Sequence, residues 1–139
     1  MQHVLAMDTT NFGGAVGTGL DPRVMWRAIT DPGLQNLAYL GVIAWEAAAG
    51  LVLAAAVAVR LRGRAPERGA WLSTLGLLMM LALFLGGFIV IGGEWFQMWR
   101  STAWNGLDPA FRNTVIALGT LVLLNLETRL PEVGNGAAR

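Results

Sequence analysis

Apolar residues run through this chain in long unbroken stretches instead of alternating or recurring on one helical face. Positions 37–59 carry a single charge, Glu46, and positions 70–93 carry none. A helix needs about 20 predominantly apolar residues to cross the hydrocarbon of a bilayer, so each run predicts a membrane span. The first is announced by Asp31-Pro32, an N-cap acceptor followed by proline at the first helical position, and stops at Arg60-Leu61-Arg62-Gly63-Arg64. The second opens on Pro66 and Glu67, where a missing N–H costs little and negative charge suits the helix dipole, and ends at Gly92-Gly93-Glu94. Asp108-Pro109 repeats the capping pair and starts a third span, 109–126, with Arg112 and Asn113 in its first turns. The predicted fold is all-α: one integral membrane helical bundle over 1–139, with three transmembrane helices.

The polar stretches between the spans set an expected orientation. The first connection carries Arg60, Arg62, Arg64 and Arg68 against Glu67 alone, and short arginine-rich loops stay cytoplasmic. The second holds Trp95, Trp99 and Trp104 around one arginine, the aromatic belt of an outer interface. Positions 1–36 are then an extracytoplasmic segment. Within it, 11–19 holds four glycines and reads as a loop, while Asp21-Pro22 starts a short interfacial helix, 22–30, bearing Val24, Met25, Trp26 and Ile29. The polar tail 127–139 is left in the cytoplasm.

Composition narrows the function. The chain of 139 residues is 55% hydrophobic and 14% charged, against about a quarter charged in soluble domains. A net charge of +1 creates no field to gather nucleic acid. There is no cysteine, which removes disulfides, thiolate metal sites and cysteine catalysis, and the one histidine, His3, excludes bis-histidine haem within a single chain. Phosphate-binding glycine loops, HExxH zinc sites and nucleophile elbows are missing as well. No cofactor is implied.

Several words of the sequence resemble a family of predicted small bacterial integral membrane proteins of unknown function. They are Gln2-His3-Val4-Leu5-Ala6-Met7-Asp8-Thr9-Thr10, Met25-Trp26-Arg27-Ala28-Ile29-Thr30, Ile43-Ala44-Trp45-Glu46-Ala47, Gly92-Gly93-Glu94-Trp95-Phe96, Met98-Trp99 and Thr102-Ala103-Trp104-Asn105-Gly106. The likeness extends from Gln2 to about Leu126 and implies topology, not activity. Such proteins carry four helices, one of them upstream of the His-Val-Leu segment, so the resemblance implies that the family's first helix is missing here. The 13–19 stretch is longer than the family pattern.

Glu46 is the most informative single residue. It lies about 14 Å along the axis from Leu37, near mid-membrane, where an acidic residue costs about 2.5–3.5 kcal/mol unless it faces protein or water. Gly50, Ala54 and Ala58 follow at i+4 spacing and place it on a face suited to close helix contact. It reads either as a proton or ligand site, or as a carboxyl bonded to another helix or paired with Arg112. His3, Asp8, Glu94 and Asn105 form a possible outer-face polar cluster with oxygen and imidazole donors for a divalent metal, though without a ligand spacing. Capping and interfacial roles suit the same residues. Trp95, Trp99 and Trp104 are an aromatic belt or a docking surface. Glycines 86, 87, 92 and 93 would admit close helix approach.

The expected protein is therefore a small multi-pass protein of the bacterial inner membrane, without a catalytic set. It packs against other helices as a homo-oligomer or within a larger membrane complex, its remaining partner being the bilayer. The alternative is a small proton-coupled transporter with Glu46 in the pathway. A third class, an enzyme acting at the outer face, would rest on Glu94, His3 and Asp8.

Overall fold

The computed structural model describes residues 2–7, 23, 25–63, 65–101 and 104–129. Among them the chain is helical without strands, and three helices are long and apolar enough to cross a membrane: Pro32–Arg62, Pro66–Trp95 and Leu107–Leu126. The expected class and the number of spans both stand.

A helical turn, α1 (Gln2–Leu5), precedes the first span, α2 (Pro32–Arg62). Asp31 caps α2 as its sequence requires, its carboxylate accepting from the Leu34 N–H at 2.8 Å with Pro32 in the first turn. At the other end Gly63 takes the left-handed conformation (φ 64°) and donates its N–H to the Arg60 carbonyl at 3.1 Å, which stops the helix. The helix is thus longer at both ends than the apolar run, because interfacial residues complete its turns. Of the helix expected over 22–30, the described residues hold one 3₁₀ turn, Met25–Arg27.

The second span is α-helical over α3 (Pro66–Leu81) and then widens into a π segment, Ala82–Trp95. At its end the Phe96 N–H reaches the Ile91 carbonyl, five residues back, at 3.0 Å. Fourteen π-helical residues far exceed the single turns usual for this geometry, which favours functional positions. The switch is stitched from outside. The Ala82 N–H divides between the Leu78 and Met79 carbonyls, and the indole Nε1 of Trp45 on α2 donates to Met79 at 2.9 Å. In a bilayer no water can satisfy a carbonyl disturbed by such a change of ladder, so a neighbouring helix supplies the donor. A bend with Gln97 in the left-handed region (φ 52°) and a 3₁₀ turn, Met98–Arg100, lead to α4 (Leu107–Arg129). The helix begins before Asp108-Pro109, because the Asn105 side chain accepts from the Leu107 N–H at 3.0 Å.

Where the spans meet, the buried residues are mostly small, and many of the large apolar side chains point outward. Ala49 and Ala56 of α2, Gly69, Ser73 and Gly76 of α3, and Ala110, Thr114 and Ala117 of α4 are buried. Leu51, Leu61 and Leu123 are 72, 84 and 64% exposed. This inversion is what lipid as solvent selects: a leucine gains little by leaving hydrocarbon, so close backbone approach holds the helices together. A Cβ on Gly76 would come within 2.6 Å of the Leu53 side chain, and one on Gly69 within 2.7 Å of the Arg60 stem. Ser73 and Thr114 donate to carbonyls four residues back, Gly69 and Ala110, each at 2.8 Å, and so bring no unsatisfied hydroxyl into the interior.

Replacing Gly76 by leucine should force α2 and α3 apart and cost about 1–3 kcal/mol or more of unfolding free energy, read by steric trapping or denaturant titration in micelles. Gly41→Leu, on a position with nothing within 4 Å of its would-be Cβ, should show no such loss. Trp45→Phe, which keeps the ring but removes the donor to Met79, should cost about 0.5–1 kcal/mol in the same assay.

Candidate functional site

Two features of the bundle carry chemistry that packing alone does not require. The first is the outward face of α2. Glu46 is the fifteenth of the 31 residues of that helix, about 21 Å from Pro32 on an axis about 46 Å long. Its carboxylate is exposed, and among the described residues it has neither a hydrogen bond nor an ion pair, with Arg112 or any other group. Gly50, Ala54 and Ala58 are exposed on the same face, and a Cβ on Gly50 would meet nothing within 4 Å. The small-residue stripe of α2 is therefore open, while α3 packs on the adjacent face through Ala49, Leu53 and Ala56. Beside Glu46 runs a shallow groove of about 240 Å³, walled by Trp45, Ala49, Gly50 and Leu53 of α2 and by Met80, Leu83 and Phe84.

The second feature is a cavity of about 410 Å³ at the end of the bundle that holds the tryptophan-rich connection. Val4 and Leu5 come from α1, and Ala38 and Val42 from α2. The π segment supplies Leu83, Gly87, Phe88, Ile91 and Gly92, and the connection supplies Met98, Trp104 and Gly106. The π geometry explains this wall. With bonds five residues apart, Gly87 and Gly92 lie over one another, so a Cβ on Gly92 would sit 3.5 Å from the Gly87 carbonyl oxygen. Two bare backbones thus line up on one side of the cavity. Met98 seals the floor of the bend, its Cε 3.3 Å from the would-be Cβ of Gly92. The His3 ring stacks on Trp104 with centroids 4.3 Å apart and planes at 17°.

Above this wall an apolar cluster of Leu5, Met7 and Phe96, packed by Val4, Met25, Ala28, Ile29 and Ala38, ties the N-terminal segment to the bundle. Met7 takes a left-handed backbone (φ 48°) and is 1% exposed, a conformation held by the surrounding packing. The Ile29 N–H donates to the Leu5 carbonyl at 2.8 Å, and Gln35 Nε2 donates to the Ile29 carbonyl at 2.7 Å. These bonds bring Arg27 against the π segment. Its guanidinium lies 5.0 Å from the Trp95 ring centroid and 5.6 Å from that of Trp26, and the two indoles meet edge to face at 5.6 Å. The Arg27 Nε is buried without a hydrogen-bond partner.

Glu94 and Asn105 are exposed, Asn105 spending its carbonyl on the Leu107 N–H, and His3 is stacked on Trp104. Asp8 lies outside the described residues. Among the described residues no three of His, Asp and Glu are gathered as a metal site would need. Of the three tryptophans, Trp95 holds Arg27, Trp104 lines the cavity, and Trp99 is exposed with Arg100 5.8 Å from its ring. Sequence reasoning overlooked both the cavity and Arg27. The signal for the first was the five-residue spacing of Gly87 and Gly92, which an α-helical reading places on different sides. For the second it was a lone arginine beside tryptophan in an apolar word.

A sequence profile for a family described as predicted small integral membrane protein (DUF2165) matches residues 1–127. The chain belongs to this family. The match takes in both the N-terminal segment and all three spans, so the cavity and the Glu46 face lie within the family's own extent. No curated protein and no solved structure matches the chain.

If Arg27 and Trp95 interact as their geometry indicates, a double-mutant cycle of Arg27→Ala with Trp95→Leu should return a coupling of about 0.5–1 kcal/mol in unfolding free energy. Additive single effects would remove that contact from the account.

Proposed function

We propose that this small integral membrane protein is a non-enzymatic packing subunit, joined to other transmembrane helices through the open face of α2. The partner helices are copies of the chain or belong to a larger complex. One observation carries the reading: a carboxylate stands exposed and unpartnered at the midpoint of a membrane span. Left against lipid it would cost about 2.5–3.5 kcal/mol, which a second helix bearing a hydrogen-bond donor removes. Gly50, Ala54 and Ala58 let the second backbone approach closely enough for that bond. In this reading the arginine-rich connection faces the cytoplasm of a bacterial inner membrane and the tryptophan end faces outward.

The groove beside Glu46 supports a second reading, a proton-coupled transporter whose pathway runs along α2 at a contact between protomers. Both readings need a partner helix over the same face. They differ in whether Glu46 must exchange protons.

Native mass spectrometry of the protein extracted from its own membrane, with every co-purifying chain identified, tests the proposal. Stoichiometric copies or a stoichiometric unrelated chain are expected, and a strictly monomeric particle overturns it. Gly50→Leu and Glu46→Leu should each dissociate the assembly at unchanged helical content, because a Cβ at Gly50 meets nothing within 4 Å and Glu46 has no hydrogen bond or ion pair to lose among the described residues. Proton or solute flux in proteoliposomes that is abolished by Glu46→Gln would move the conclusion to the transporter; flux indifferent to the substitution would exclude it.

A further inference from the structure

We infer that the cavity at the tryptophan end is a lipid site: it takes one hydrocarbon chain of an anionic phospholipid whose phosphate is held by Arg27. This inference is independent of the α2 face, which lies deeper in the bilayer.

The depth of the cavity comes first. Ala38 and Val42 lie about 9 and 15 Å along α2 from Pro32, well below the cap and above the level of Glu46, so the space falls in the hydrocarbon of one leaflet. Its walls are mainly apolar side chains and glycine backbone, with the Trp104 indole among them. Water in such a space would find few partners. A volume of about 410 Å³ is that of a small-molecule pocket, and at this depth the molecules that can fill it are lipid chains.

Arg27 decides which lipid. Trp95, on which its guanidinium rests, lies one turn beyond the cavity residue Ile91. Ile29, two residues after Arg27, bonds to the cavity residue Leu5. The elements that hold the cation thus connect directly to residues of the cavity wall. Its Nε is shielded and unbonded between indoles, and no carboxylate pairs with it among the described residues. The terminal amino groups of the guanidinium remain as donors for a phosphate, with a geometry suited to two of its oxygens. A chain in the cavity and a phosphate at Arg27 is the order in which a phospholipid presents its parts along the membrane normal.

The test uses the full chain in nanodiscs containing phosphatidylglycerol or phosphatidylcholine with a photoactivatable acyl chain, with crosslinks mapped by peptide mass spectrometry. Crosslinks are expected on cavity residues such as Leu5, Ile91 and Met98. They should be lost in Gly87→Leu, where a Cβ makes only ordinary contacts, 3.7 Å to Leu83 and 4.0 Å to the Ala82 carbonyl oxygen. Ala38→Phe fills the same space from α2 and serves if Gly87→Leu does not fold. In competition, phosphatidylglycerol should be preferred roughly fivefold, a preference that Arg27→Gln abolishes while chain crosslinking persists. Labelling confined to outward residues such as Leu51 and Leu123, the same in wild type and filled variants, overturns the site. Cavity labelling without a headgroup preference, or a preference indifferent to Arg27→Gln, overturns the anionic assignment.

Discussion

The close contact of α2 with α3 is the interaction on which the other features rest. It is made by the absence of side chains: Leu53 occupies the space a Cβ on Gly76 would need, and the Arg60 stem that of Gly69. In water such a contact would be a weak substitute for a leucine core. In lipid, large apolar side chains gain almost nothing by turning inward, and van der Waals contact between near backbones becomes the main attraction. The turn at Gly63 brings the two helices together, and the contact then holds their register. That register puts the Trp45 indole opposite the Met79 carbonyl, where the helix changes from α to π.

The π segment follows from this arrangement and prepares the cavity. A wider ladder needs a place to begin, and Trp45 supplies a donor there. It also needs residues that permit the change, and glycine pairs at 86–87 and 92–93 leave its side walls bare. Once bonds run five residues apart, Gly87 stacks over Gly92, and a strip that would be split between helical faces becomes one wall. Met98, reached through the left-handed Gln97, closes against it. The N-terminal segment completes the enclosure by bonding Ile29 to Leu5 and by laying Arg27 on Trp95.

The chain thus divides its polar chemistry between two depths. Glu46 stands at the middle of the bilayer on a face the chain does not cover. Arg27 stands near one interface on a face of indoles. Among the described residues neither side chain is paired with the other or with another ionisable group. On the readings proposed above, the Glu46 face would take a helix and the Arg27 site a lipid. On those readings the bundle presents two places where substitutions should have consequences beyond stability.

Hydrophobic run lengths settled the spans, because the bilayer's thickness and its lack of water leave few solutions for an apolar stretch of that size. Asp31-Pro32 and Gly63 marked the ends of α2 through local chemistry alone, since a cap depends on neighbours three or four residues away. Glu46 could likewise be placed at mid-membrane by counting. What lay beyond counting was which side of each helix faces its neighbour. The stripe Glu46-Gly50-Ala54-Ala58 has the spacing of a contact face, yet α3 packs on Ala49, Leu53 and Ala56, because the short connection at Gly63 selects one rotation of the pair. The same holds for the wall of the cavity and for Arg27. A five-residue ladder, and a cation brought to Trp95 from 68 residues away in sequence, arise only when the helices are assembled; local spacing encodes neither.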